Sequence, residues 1–326
     1  MESIPKLGPK EIRSLLFEKP LPHQQHYLAM YSSWLGGIVT DPGFMLVPVD
    51  DHLVHRGDGI FEAFKSLRGL VYLLDRHLDR LERSADMVHL AWPVSRSEMK
   101  EIILETIRAS GASDCLVRLF VSRGPGDFTP SPYSTVGSQL YVVITELKPP
   151  EDKKYEHGCS LQTSRVPIKP GFFANVKSCN YLQNVLMRKE AEDHSVDYVV
   201  SLDENGSLAE GPTENLAVVS ADLELLVPRF DRTLRGTTAV RMMELAQELA
   251  SSKTLSSVRQ ARIGREDLFL AREVLMCGTT FDILPIVQFD GRAIGEGVPG
   301  PIYRELLERM RRDQQEAQEV LTPVRG

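Results

Sequence analysis

Asn175-Val176-Lys177-Ser178-Cys179-Asn180-Tyr181-Leu182 sets one lysine between apolar flanks. Phe172-Phe173-Ala174 precede it and Tyr181-Leu182 follow, so both sides favour burial. A lysine drawn into such surroundings loses water, which disfavours its ammonium form. The neutral amine is then a nucleophile for carbonyls, including the aldehyde of pyridoxal phosphate (PLP). An ordinary solvated lysine is the competing reading in a chain with 38 lysines and arginines. The nucleophile reading needs three further parts: an anchor for a phosphate, an acid for the pyridine nitrogen, and donors for a substrate carboxylate.

The 326 residues, 42% hydrophobic, are enough for one large domain or two modest ones with a sizeable core. A net charge of -7 argues against nucleic acid or an anionic membrane as the main partner. No apolar run approaches the roughly 18 residues of a membrane helix, and Met1 to Pro20 contain no signal-peptide block. Cys115, Cys159, Cys179 and Cys277 have no metal-ligand spacing. They read as free thiols in a reducing compartment, so a cytoplasmic location and no metal are expected.

Residues 1–26 are polar and read as an N-terminal arm. Short apolar pieces from Tyr27 to Val49 suggest strands, His55 to Gly59 a turn, and Ile60 to Leu67 and Leu70 to Leu74 a hairpin about Arg68-Gly69. Asp75 reads as an N-cap, with Leu78, Leu81, Ala85 and Val88 on one helix face. A helix from Ser97 to Ala109 and strands from Cys115 to Ser122 and Leu140 to Thr145 follow. Residues 147–154, proline-rich and charged, form the best linker. It separates a domain at 27–146 from one at 155–326. In the second half, strands are expected at Ser160 to Val166, Asp197 to Leu202 and Ser207 to Glu210. The last two are joined by a turn at Asn205-Gly206. Asn215 to Val219, Leu223 to Val227, Glu273 to Cys277 and Ile283 to Phe289 continue the β pattern. Helices are expected at Leu182 to Asp193, Thr237 to Ala250 and residues 300–317. The mixture lacks regular βαβ alternation, so the expected class is α+β.

Arg80, in His77-Leu78-Asp79-Arg80-Leu81, is either a surface ion-pair residue or a forked phosphate donor. Gly236-Thr237-Thr238 precedes a helix, whose free N–H groups and positive dipole end favour an anion; a simple cap is the alternative. Gly278-Thr279-Thr280 admits the same two readings. Glu210 is either a solvated strand end or a carboxylate that keeps a pyridine nitrogen protonated.

Taken together and in order, these stretches resemble the class IV (fold type IV) PLP-dependent aminotransferases. The matching pieces are Gly57 to Glu62, His77 to Leu81 with Ser84-Ala85, Lys177 to Leu182, Gly206 to Asn215, Gly236 to Thr238 and Glu273 to Pro285. Met30 to Ser33, Gly124 to Phe128 and Pro167 to Pro170 resemble plant-type D-amino-acid transaminases. The resemblance implies a small α+β domain joined to a larger one with a β-barrel-like core, PLP between them, and a homodimer. It implies that Lys177 carries the Schiff base and acts as general acid/base, that Glu210 pairs with the pyridine nitrogen, and that Tyr181 meets the ring hydroxyl. Arg80, the Thr237 amide, Thr238 and Thr279 would hold the phosphate. Phe61, Arg118 and the amides of Thr280 and Phe281 would face the substrate.

The chain departs from each subgroup. Phe128-Thr129-Pro130 replaces the Arg-x-His pair of bacterial D-amino-acid transaminases, Leu116 stands where branched-chain enzymes favour tyrosine, and Glu62 where the lyases have threonine. Arg118, Arg56 and Arg123 are the candidate cations for a substrate carboxylate. The expected activity is amino transfer between a D-alanine- or D-glutamate-type amino acid and a 2-oxo acid. A branched-chain L-aminotransferase and an aminodeoxychorismate lyase are the alternatives.

Overall fold

The computed structural model describes residues 4–18, 21–169 and 171–325. Pro170 of the Pro167–Pro170 stretch, and residues 1–3, 19 and 20 of the arm, lie outside the described residues. By its contacts the chain divides into two units. The first holds the residues up to Tyr72, His89–Leu147 and the chain from Thr322; the second holds Leu73–Val88 and Lys148–Leu321. The division at 147/148 falls in the charged, proline-rich stretch. The helix Leu74–Met87, however, groups with the second unit, which corrects the continuous small domain expected over 27–146. The physical reason is its contacts. Arg76 forks onto Glu244 at 2.8 and 2.9 Å, and His77 Nε2 lies 3.3 Å from Thr237 Oγ1.

In the first unit, β1 (Tyr27–Ser32), β2 (Gly37–Val39), β3 (Gly59–Leu67), β4 (Leu70–Tyr72), β5 (Cys115–Ser122) and β6 (Gln139–Glu146) form one sheet. Its order is β4-β3-β5-β6-β1-β2, with Leu321–Pro323 at the edge beside β4. Period-2 burial of Ile60, Glu62, Phe64 and Ser66 fixes the register of β3, from Gly59 opposite Ser122 to Ser66 opposite Cys115. The helix Arg96–Ser110 lies against β1 and β6, burying Met99, Ile103 and Ile107. Ser95 Oγ caps it by accepting from the Glu98 N–H, and Gly111 ends it at φ 70°. The expected turn at His55–Gly59 is instead a short helix, His52–Arg56, stopped by Gly57 at φ 64°. The arm is not purely irregular. It contains the helix Pro9–Phe17, whose Phe17 ring sits 4.3 Å from that of Phe44.

The second unit contains β7 (Cys159–Thr163), β8 (Tyr198–Val200), β9 (Asn215–Val219), β10 (Glu224–Pro228), β11 (Ser257–Ala261), β12 (Glu273–Gly278) and β13 (Asp282–Phe289). Their order is β11-β10-β9-β12-β13-β7-β8. Residues 207–210, expected as a strand, instead form a strap joining the two ends of this sheet. Ala209 N–H donates to the Ser201 carbonyl and Ser201 N–H to that of Glu210, while Leu208 N–H donates to the Ile263 carbonyl. The sheet thus closes on itself around Leu216, Val218, Val274, Met276, Leu284 and Ile286. Such closure satisfies edge groups that would otherwise be exposed. Every residue of β9 and of β12 is buried. The reason is that helices Thr237–Ser251 and Pro301–Glu316 pack against this sheet. Glu273 on β12 caps the second of these, its two oxygens accepting from the Ile302 and Tyr303 N–H groups at 2.9 and 2.7 Å. Arg241 and Asp313 join the two helices by a forked pair at 2.9 and 2.5 Å. Among the described residues no helix is long and apolar enough to cross a membrane.

Candidate active site

Lys177 follows the short helix Gly171–Ala174 and precedes the helix Leu182–Asp193. Its backbone N–H donates to Ser84 Oγ at 3.2 Å, which ties the lysine to helix 74–87. The half-buried side chain lines a pocket within the second unit.

One end of the pocket is suited to an anion. The helix Thr237–Ser251 begins there, and no side chain caps its start. Its first N–H groups therefore have no partner within the helix. They point where the helix dipole favours negative charge. Gly236 is required at this start, because a Cβ there would run into Asn215 Oδ1. Asn215 in turn donates from Nδ2 to the Leu234 carbonyl at 3.0 Å, fixing the approach to the helix. Arg80 is 5% exposed and lines the same pocket; its Nη1 donates to the Arg235 carbonyl at 3.2 Å. Thr279, in the tight connection between β12 and β13, completes this lining.

The other end carries a carboxylate. Glu210 closes the strap of residues 207–210, and its Oε2 accepts from the Leu234 N–H at 2.8 Å. Burial pushes its carboxyl from the ordinary 4.5 up to about 7, against the opposing pull of that N–H, of Lys169 and of Lys177. Tyr181 stands beside it, its hydroxyl donating to the Pro212 carbonyl at 3.3 Å. Burial, then the charge of Glu210, raises the phenol above its usual range. Asn184 Nδ2 donates to the same carbonyl. Gly211 is needed next to Glu210, since a Cβ there would come within 2.6 Å of Glu214 Oε2.

Lys177, Arg80, Tyr181, Glu210, Thr237, Thr238 and Thr279 are thus gathered in one pocket. Thr280 and Phe281 do not line it. The Phe281 ring is 5% exposed in the barrel core, 6.0 Å from that of Tyr198, and its carbonyl accepts from the Tyr155 hydroxyl at 3.1 Å. Phe61 and Arg118 belong to the first unit. There Phe61 stacks on Phe120 at 6.0 Å, and Arg118 Nη1 donates to Thr145 Oγ1 at 2.8 Å. Arg123 is forked onto Asp58 at 3.0 Å on both arms, and Arg56 is spent on the carbonyls of His55 and Phe128. The sequence reading missed Lys169, Asn184 and the Leu234 N–H. Lys169 stood inside a quoted stretch without a role, and no residue-type signal marks a backbone N–H.

The parts present suit PLP: an amine, a carboxylate held through one oxygen by a backbone N–H, and an uncapped helix start with an arginine beside it. Residues 59–289 match the family model for amino-transferase class IV. The chain is 41% identical over 290 residues to the chloroplastic D-amino-acid transaminase of Arabidopsis thaliana, covering 89% of this chain and 77% of that one. It is 30% identical over 288 residues to the branched-chain-amino-acid aminotransferase of Escherichia coli K12, covering 84% of this chain and 89% of the other. The crystal structure of an E. coli branched-chain aminotransferase superposes with a TM-score of 0.83 at 25% identity, over 91% of this chain and 99% of that one. A second branched-chain amino acid aminotransferase, solved with pyridoxamine 5'-phosphate, gives 0.84 at the same identity and coverage. By motif, fold and pocket, this chain belongs to the class IV aminotransferases, enzymes whose cofactor is PLP.

Proposed function

We propose that the enzyme moves an amino group between a D-amino acid of the D-alanine or D-glutamate type and a 2-oxo acid. The observation that carries the preference for D-donors is the 41% identity, over most of both chains, to a protein named D-amino-acid transaminase. PLP, when bound, supplies an aldehyde that condenses with amines and a ring that accepts the electron pair left at Cα. The chain's own residues do the rest. Lys177 Nζ would hold the cofactor through its aldehyde carbon and, as a free amine, would move the proton between the substrate's Cα and the cofactor's C4′. The Thr237 and Thr238 end of helix 237–251, Thr279 and Arg80 would hold the phosphate. Glu210 would pair with the pyridine nitrogen, and the Tyr181 hydroxyl, which here donates to the Pro212 carbonyl, would meet the ring hydroxyl. Asn184 continues to satisfy that carbonyl.

Arg118 is our choice for the substrate carboxylate, because its side-chain partner is a neutral hydroxyl whereas Arg123 is chelated by Asp58. Thr280 and Phe281 would contribute through their amides and not through side chains. Leu182 and Val185 expose apolar side chains on helix 182–193, which supports a homodimer; light scattering checks it. A reducing compartment suits the four free cysteines. The cytoplasm is the address expected from sequence and the chloroplast that in the Arabidopsis relative's name, so fractionation decides between them.

The 30% identity to the E. coli branched-chain enzyme supports one other reading, L-leucine or L-valine as donor. The deciding measurement is kcat/KM for D-alanine against L-leucine, with 2-oxoglutarate as acceptor. A clear preference for the L-donor rejects the D-specific reading.

A further inference from the structure

Lys169 is a second lysine in the Lys177 pocket. Its Nζ lies over the face of the Tyr181 ring, 5.0 Å from the centroid. Among the described residues no hydrogen bond or ion pair of its ammonium is seen. Lys169 and Glu210 line not one cavity but two: the main pocket and a smaller one whose lining also includes Asn184 and Ser201. The pair therefore forms part of the wall between them. We propose that Lys169 is a positioning residue for the cofactor ring, holding Glu210 as the anion in a row of charges that reads ammonium, carboxylate, pyridinium. The proposal rests on PLP binding in this pocket as set out above.

The physical case is one of charge order. A proton shared between a buried carboxylate and a pyridine nitrogen can sit on either. A cation on the far side of the carboxylate stabilises the arrangement with the anion in the middle, so the proton goes to nitrogen. The groups facing Glu210 are the Leu234 N–H, Lys169 and Lys177, which favour the anion, and Glu214, which opposes it. Lys177 is committed to the cofactor aldehyde when PLP is bound. That leaves Lys169 as the other basic group acting on Glu210 in the loaded enzyme. Burial lowers the affinity of Lys169 for its proton and Glu210 raises it, so each supports the charge of the other. Lys169 also covers one face of Tyr181, whose role toward the ring hydroxyl requires a fixed ring plane.

The test uses holoenzyme reconstituted with PLP labelled with nitrogen-15 at the ring. The chemical shift of that nitrogen reports its protonation between about pH 5 and pH 9. Lys169→Met is expected to lower the pH at which the ring nitrogen loses its proton by about one unit or more. Lys169→Arg should restore the wild-type curve. A Lys169→Met titration superimposable on wild type overturns the proposal. So does loss of PLP binding in both variants alike, which would make Lys169 a packing residue. Wild-type protein that binds no PLP would instead sink the cofactor assignment itself, a separate failure.

Discussion

The two ends of the pocket solve opposite problems with different materials. The end proposed for the phosphate is made of backbone: a glycine-led helix start with no side-chain cap, joined by the Arg80 guanidinium. The ring end is made of a carboxylate poised near neutrality, one backbone donor and two lysines. One end has fixed polarity and grips regardless of pH. The other has polarity that the surroundings set. Anchoring should therefore be insensitive to pH and chemistry sensitive to it.

The largest effect is expected where both ends are bypassed. Lys177→Ala removes the amine proposed to bind the aldehyde and move the proton. The bound-cofactor colour should vanish and turnover fall by about a thousandfold or more. Wild-type turnover in this variant would reject the assignment of the pocket.

Next comes the ring end alone. Glu210→Gln keeps shape but not charge, and kcat should drop at least about tenfold, roughly 1.4 kcal/mol of barrier, with the phosphate grip retained. Unchanged kcat with cofactor bound would mean another acid serves the ring nitrogen.

The same carboxylate makes a prediction about stability. Its value is raised on folding, from 4.5 to about 7, so the folded chain binds that proton more tightly than the unfolded one. Stability from this group is full below the unfolded value and is lost as pH rises through the folded one. Cofactor-free protein should lose up to about 3 kcal/mol of stability between about pH 4.5 and pH 7, seen as a falling melting temperature. Glu210→Gln should flatten that slope. An equal slope in the variant would assign it to other groups.

A substitution at the anchor alone separates the two ends most cleanly. Arg80→Ala deletes one charge-assisted contact at the anchor and should weaken PLP affinity by about 1.5–3 kcal/mol. The pH dependence of catalysis in the saturated enzyme should not move. A shifted pH profile with unshifted affinity would return Arg80 to a role in ion pairing.

What the sequence reveals divides along the same line. Lys177, Glu210, Arg80 and the Gly236–Thr238 start stand out as candidates by residue type and local order, and one pocket gathers them, while the roles proposed for them come from the family resemblance. The closed sheet was anticipated only through family resemblance; strands β7 to β13 carry no local sign that Leu208 will meet Ile263. Asp75 looked like the cap of helix 74–87 by residue type. The capping position instead falls to Leu73, held at φ 57° with its N–H on the Val320 carbonyl. Phe281 carries both an amide and a large apolar ring, and the core claimed the ring. Lys169 was invisible as a site residue because a lysine that lines a pocket has the same letter as one in solvent.

The strap of residues 207–210 has a consequence for how this sequence can vary in length. Just before it, Asp203 to Gly206 form a turn in which Asp203 Oδ1 accepts from the Asn205 and Ser207 N–H groups, with Gly206 at φ 75°. Glu204 and Asn205 are exposed there, so extra residues can bulge into water at small cost. A single residue inserted three positions later would change register with Ser201 and Ile263, turning Glu210 to the opposite side of the strap. Tolerance to insertion should therefore reverse within a few residues: open at the tip, closed in the segment that both seals the barrel and aims the carboxylate.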